Sequence, residues 1–183
     1  EVAKKIYLEE HPNTNIHVIN SLSAGGEVDL IVRKLNQLVA EGLDFDQVVD
    51  VITTYQSKTK LLFVLAKVDN LVKNGRLSKL IGTVVGLLNI RMVGEASKTG
   101  TLELLQKARG QKKAIKAAFD ELIKAGYAGG HITIAHRNNE KFIEQFSALV
   151  REKFAHAMIE VLPTSGLCSF YAEEGGLLMG YEI

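Results

Sequence analysis

Apolar positions recur along the chain in two rhythms, and each rhythm marks its own elements. Val28, Ile31, Leu35 and Leu38 fall at helical spacing, and Gly42 ends that helix. Val48, Val51, Ile52 and Tyr55 mark the next apolar face, with Asp44 as its N-cap and Gln47 three residues on. Ile115, Phe119, Leu122 and Ile123 form a third face that stops at Gly126. Phe142, Phe146, Leu149 and Val150 form a fourth, with Asn138 placed to cap it. Residues 1–10 read as a helix stopped by His11-Pro12-Asn13. A short helix is expected from Val68 to Lys73, with Gly75 as C-cap and Ser78 starting another.

Shorter apolar runs bounded by turn residues read as strands. They are Ile16 to Ile19, Leu61 to Leu65, Arg91 to Ala96, Thr101 to Leu105, His131 to Ala135, Ala157 to Leu162 and Leu177 to Tyr181. Arg91–Ala96 and Thr101–Leu105 are expected to pair around Ser97-Lys98-Thr99-Gly100. His131 to Leu162 reads as a βαβ unit with a right-handed crossover. The fold class is therefore α/β, a mixed sheet flanked by helices. The polar run Gln56 to Lys60 marks a boundary, dividing the chain into 1–58 and 59–183.

Composition narrows the function classes. Of 183 residues, 46% are hydrophobic and 23% charged, a balance that builds a core and argues against disorder. A net charge of +1 gives no strong field for nucleic acid or an acidic membrane. The single cysteine, Cys168, excludes an internal disulfide, suits a reducing cytoplasm and reads as a small apolar filler. Leu80 to Ile90 is the longest charge-free apolar stretch and is too short to span a bilayer. The chain opens in helical register without a methionine, so a fragment lacking its natural N-terminus is expected.

Catalytic and metal motifs are missing. The five histidines form no H-x-x-x-H or H-E-x-x-H pair, and His131 and His136 lie at an odd separation on one strand. No metal site or cofactor is expected. There is no G-x-S-x-G elbow, Ser165 and Ser169 lie near Cys168 without a suitably spaced histidine, and adjacent Glu173 and Glu174 diverge. Gly25-Gly26-Glu27 fits no phosphate fingerprint and reads as a tight turn.

One segment says more. Lys73-Asn74-Gly75-Arg76-Leu77-Ser78 sets an arginine and a hydroxyl beside a glycine turn, which suits a carboxylate or phosphate. The apolar stretch with Gly82 and Gly86 follows; it is either packed core or a slot beside glycines. Lys107, Arg109, Lys112, Lys113 and Lys116 form either a solvated face or a contact for an acidic or phosphorylated partner.

In order and spacing these pieces resemble the DegV family of bacterial fatty-acid-binding proteins. Ile16 to Leu22 resembles the family's strand and Asp-Ser turn, with Asn20 in the Asp place. Asn74-Gly75-Arg76-Leu77-Ser78 resembles its G-R-[IL]-[ST] turn, and Leu87-Leu88-Asn89-Ile90-Arg91 its L-L-N-I-K segment. Lys107-Ala108-Arg109 with Lys112-Lys113-Ala114 resembles its V-R-T-K-K-K-A run. Two departures stand out. Tyr171-Ala172-Glu173-Glu174-Gly175 replaces the H-T-G-P-G loop, so Tyr171 takes the histidine place, and Met92 replaces the proline after the L-L-N-I-K lysine. The S-x-x-S-G hydroxyl loop of the family would lie upstream of Glu1.

The resemblance implies a two-domain protein, with 1–58 the truncated remainder of the first domain and 59–183 the second. It implies a non-enzymatic carrier of a long-chain fatty acid, cytoplasmic, whose cargo is presented to a separate fatty-acid kinase subunit. Transferred by position, the ligand contacts would be Arg76, Ser78, Gly86, Leu87, Arg91, Arg109 and Tyr171, and the kinase contacts Arg109, Lys112 and Lys113. Burying a C16 chain at about 0.8 kcal/mol per methylene gives on the order of 10 kcal/mol before ordering costs. An enzyme acting on an acyl or phosphorylated small molecule and a protein-interaction module are the competing classes. A fragment would also expose Ile16 to Ile19 as an edge strand able to pair two copies into a homodimer.

Overall fold

A computed structural model describes residues 1–77 and 89–183 of the chain. Its helices are α1 (Val2–Glu10), α2 (Gly26–Ala40), α3 (Phe45–Gln56), α4 (Asp69–Lys73), α5 (Gln111–Lys124), α6 (Glu140–Lys153) and α7 (Gly166–Ala172). Its strands are β1 (Thr59–Leu65), β2 (Ile90–Ala96), β3 (Leu102–Arg109), β4 (His131–His136), β5 (Met158–Pro163) and β6 (Leu177–Glu182). The strands form one six-stranded sheet in the order β3-β2-β1-β6-β4-β5. The β4–β5 pair is parallel, as its βαβ connection requires, and the other pairs are antiparallel.

Side chains alternate across the sheet with period two, so each strand serves two cores. Leu62, Val64, Val93, Ile132, Ile134, Leu177, Met179 and Tyr181 share one face. They pack with Ala118 and Leu122 of α5 and Phe142, Phe146 and Val150 of α6. The opposite face carries Leu61, Phe63, Leu65, Met92 and Leu178, and α2 covers only part of it.

The seat of α2 is set by glycines. A Cβ on Gly26 would lie 2.1 Å from the Thr133 carbonyl oxygen and 2.6 Å from the Gly180 nitrogen, and one on Gly180 would lie 2.2 Å from the Glu27 nitrogen. Backbone therefore rests on backbone where α2 meets β4 and β6. Arg33 extends the attachment to β5 through Glu160 at 2.9 Å. Farther along, Ile31 and Leu38 of α2 pack with Ile52 of α3, and Ile19 packs beside them.

The expected capping box of α3 forms: the Gln47 amide donates to Asp44 at 2.9 Å, and the Asp44 amide donates to Gln47 at 3.0 Å. Two expectations need correction. Ile16 to Ile19 forms no strand; His17 and Val18 are exposed, Ile19 is drawn into the α2–α3 cluster, and the Asn20 carbonyl accepts from Gln56 at 2.6 Å. The edge proposed to join two copies is therefore absent. Asn139, not Asn138, stands at the N-cap of α6, while Asn138 adopts φ 48 and donates to the Glu174 carboxylate. β3 also runs on to Arg109, because an outer strand can expose Lys107 and Arg109 while Ala108 is buried. The helix expected from Ser78 lies outside the described residues.

Gly180→Ala tests the seat of α2. The added methyl has no room, so stability should fall by about 1–3 kcal/mol, read as a lower urea midpoint at constant slope. An unchanged midpoint would mean that α2 does not rest there.

Candidate ligand-binding site

The uncovered part of the α2 face opens into a cavity of about 570 Å³. Leu61, Phe63 and Leu65 of β1 lie at alternate positions and so face the cavity together. Leu178 of β6 pairs with Phe63, and Leu102 of β3 pairs with Ala96 of β2, which extends this apolar floor. Gly94 makes the floor possible: a Cβ there would stand 2.4 Å from the Phe63 ring.

Among the described residues, three walls rise from the floor. The first is α4 and the turn after it, through Leu71, Gly75 and Arg76. Gly75 takes φ 68, and the Arg76 amide returns to the Leu71 carbonyl at 2.8 Å, which folds the turn back on its helix. The second wall is α7, through Leu167, Cys168, Tyr171 and Ala172. The third is Asn20 to Ala24, facing the Thr99-Gly100-Thr101 turn.

The Asn20–Ala24 loop is anchored by a buried carboxylate. Glu27 accepts from the Ser23 hydroxyl and, at 2.8 Å, from the Thr59 hydroxyl of β1. Gly25 lies so close to Leu178 that a Cβ would stand 2.9 Å from that side chain. Leu22 completes the loop at φ 51, a left-handed conformation that leucine seldom adopts.

Polar groups gather at the cavity mouth. The Arg76 guanidinium is exposed and stands 5.9 Å from the centroid of the Tyr171 ring, within cation–π range. Phe170 meets Tyr171 edge-on. These two sequence-selected residues, Arg76 and Tyr171, are thus brought together. Arg91 and Arg109 are not part of the cavity lining. Arg91 lies beside Gly175, with its Nη1 3.8 Å from a Cβ built there. Its Nε and Nη1 are buried and find no hydrogen-bond partner among the described residues, and burial lowers its pKa below the ordinary arginine value. Arg109 ends β3 exposed. Ser78, Gly86 and Leu87 lie outside the described residues.

The lining contains residues that sequence reasoning passed over. Phe63, Leu65 and Leu178 carry the signal of any buried strand, and nothing in that local pattern marks them as a cavity floor. Cys168, read as filler, lines the cavity half-buried. Among the described residues, no helix is long and apolar enough to cross a membrane. No group of three or more His, Cys, Asp or Glu side chains among them could hold a metal ion.

Comparison with known proteins bears on this cavity. The model described as "Uncharacterised protein, DegV family" matches residues 2–181. A DegV domain-containing protein of Streptococcus gordonii is 78% identical over 183 residues, and one from Streptococcus pneumoniae is 75% identical. The match covers all of this chain but 65% of each of these relatives, so the chain spans about two thirds of their length. Among solved structures, the fatty acid kinase (Fak) B3 protein of Streptococcus pneumoniae, loaded with linoleic acid, is 76% identical with a TM-score of 0.97, covering 100% of this chain and 65% of that one. A DegV family protein of Eubacterium eligens loaded with heptadecanoic acid is 36% identical with a TM-score of 0.94, over 99% of this chain and 66% of that one.

Glu27→Ala tests the anchoring of the loop. It leaves the Ser23 hydroxyl without its acceptor and the Thr59 hydroxyl with only the Gln56 carbonyl at 3.1 Å, at about 1–3 kcal/mol in denaturant unfolding. Glu27→Gln, which keeps a carbonyl oxygen, should lose less; equal losses would mean that the hydrogen bonds are not what holds the loop.

Proposed function

Because the chain belongs to the DegV family, we propose that it binds a long-chain fatty acid, with the acyl chain over Leu61, Phe63, Leu65, Leu102 and Leu178 and the carboxylate toward Arg76 and Tyr171. The observation that carries this reading is the 570 Å³ apolar cavity with a cation at its mouth. That size falls within the range of about 300–1,000 Å³ usual for small-molecule sites. Apolar burial supplies affinity, while a carboxylate left unpaired would be costly; Arg76 offers it a partner.

The protein acts as a carrier and not as the catalyst. The similarity to DegV family proteins loaded with fatty acids supports this reading. A separate cytoplasmic fatty-acid kinase receives the bound acid, and exposed Arg109, Lys112 and Lys113 attract it electrostatically. The expected boundary between 1–58 and 59–183 falls at the α3–β1 junction, but α2 packs on β1, β4 and β6, so the two segments share this face of the sheet.

Lipid extracted from the full-length protein should contain a long-chain acid by mass spectrometry, and repeatedly empty protein would contradict the reading. Leu178→Trp fills the cavity and should weaken fatty-acid binding tenfold or more, about 1.4 kcal/mol, with the fold retained. Lys112→Glu with Lys113→Glu should instead slow acyl-phosphate formation by the kinase and leave binding intact. Unchanged phosphorylation would dismiss that docking face.

A further inference from the structure

The two walls that meet at the cavity mouth, α4 and α7, are lightly held. Leu71 is the only buried residue of α4, and Ala172 the only one of α7. Leu71 and Ala172 share one small apolar cluster, and two hydrogen bonds add to it. The Glu173 carboxylate accepts from the Asn70 backbone amide at 2.9 Å, and the Asn70 side chain donates to the Phe170 carbonyl at 2.8 Å. Arg76, at the far end of α4, then stacks on Tyr171 of α7.

Glu173 makes its bond from an unfavourable backbone. It sits at φ 53 and ψ −171, a region almost confined to glycine. A side chain that persists there is held by its surroundings, and the Asn70 amide is what its carboxylate grips. The turn that follows has other attachments. The Gly175 amide donates to the Arg137 carbonyl at 2.9 Å, the Arg137 amide to the Gly176 carbonyl at 2.9 Å, and the Asn139 side chain to the Gly175 carbonyl at 2.7 Å. Loss of the Glu173 carboxylate therefore leaves the turn in place and removes one of the two hydrogen bonds between α4 and α7, loosening their contact. Asn70 and Glu173 also line a second groove with Arg137, Ser169, Phe170 and Glu174, so water has access to the bond.

We propose that Glu173 is a positioning residue that latches the mouth of the cavity, its carboxylate tying α7 to α4 and setting how fast a ligand enters and leaves. This rests on the fatty-acid reading of the cavity. Opening the latch parts Arg76 from Tyr171 and widens the mouth while the β1–β6 floor stays in the sheet, so it acts on exchange rates more than on affinity.

The test uses the full-length protein with cis-parinaric acid as probe, chased by excess oleic acid in a stopped-flow experiment. Glu173→Gly should release the probe faster by about tenfold, with a smaller change in Kd because uptake also quickens. Its thermal midpoint should not fall, since glycine accepts this backbone freely. Glu173→Gln keeps an acceptor oxygen and should stay near the wild-type rate. Asn70→Ala removes the bond to Phe170 and should speed release on its own, which preserves the test if Glu173→Gly folds poorly. Wild-type release rates in both Glu173→Gly and Asn70→Ala would overturn the latch alone, as would acceleration that only follows a loss of thermal stability. A wild-type protein that takes up no probe would overturn the fatty-acid reading, and the latch with it.

Discussion

The fold turns on a contact without side chains, where the start of α2 lies on the backbone of β4 and β6. Gly26 and Gly180 leave no space for a Cβ between helix and sheet. Close packing of this kind fixes a helix in one position, because any added atom must displace backbone. It sets α2 over one half of the sheet face and swings the Ser21–Gly25 loop onto Leu178. Among the described residues, the half over β1, β2 and β3 carries only the short helices α4 and α7, and the cavity opens beside them.

The two sheet faces divide the work of the molecule. On one, α5 and α6 bury large side chains such as Phe142, Phe146 and Tyr181 in a continuous core. Most of the apolar stabilisation resides there. On the other, the walls are short helices and polar turns held by individual hydrogen bonds. Elements with little buried area open more easily than the core, which suits the proposed ligand site.

Much of this was legible in the chain, for reasons that differ by element. Helices α2, α3, α5 and α6 announce themselves because a one-sided apolar face repeats at 3.6 residues, and the Asp44–Gln47 capping box is a local signal read correctly. Ile16 to Ile19 misled because a strand needs a partner, which no local pattern supplies. Gly26 read as part of a turn, since close approach to a residue as distant as Gly180 leaves no trace in neighbouring positions. The ordered G-R-L-S and L-L-N-I-R motifs revealed the family, but not the cavity floor. Arg76 and Tyr171 were each singled out, and only the folding of α4 against α7 brings them together. Arg91 and Arg109 looked equivalent to Arg76 as cations; among the described residues Arg91 lies half-buried beside Gly175 and Arg109 ends β3 exposed, and neither lines this cavity.

The central claim is that the acyl chain lies on the β1–β6 floor and not against the α5–α6 core. Isotope-filtered NOE spectroscopy of the full-length protein with a ¹³C-labelled palmitic acid measures this directly. The account predicts contacts from the acyl methylenes to the Phe63 ring and the Leu178 and Leu102 methyls. Contacts to Phe142, Phe146 or Leu122 in their place would contradict it.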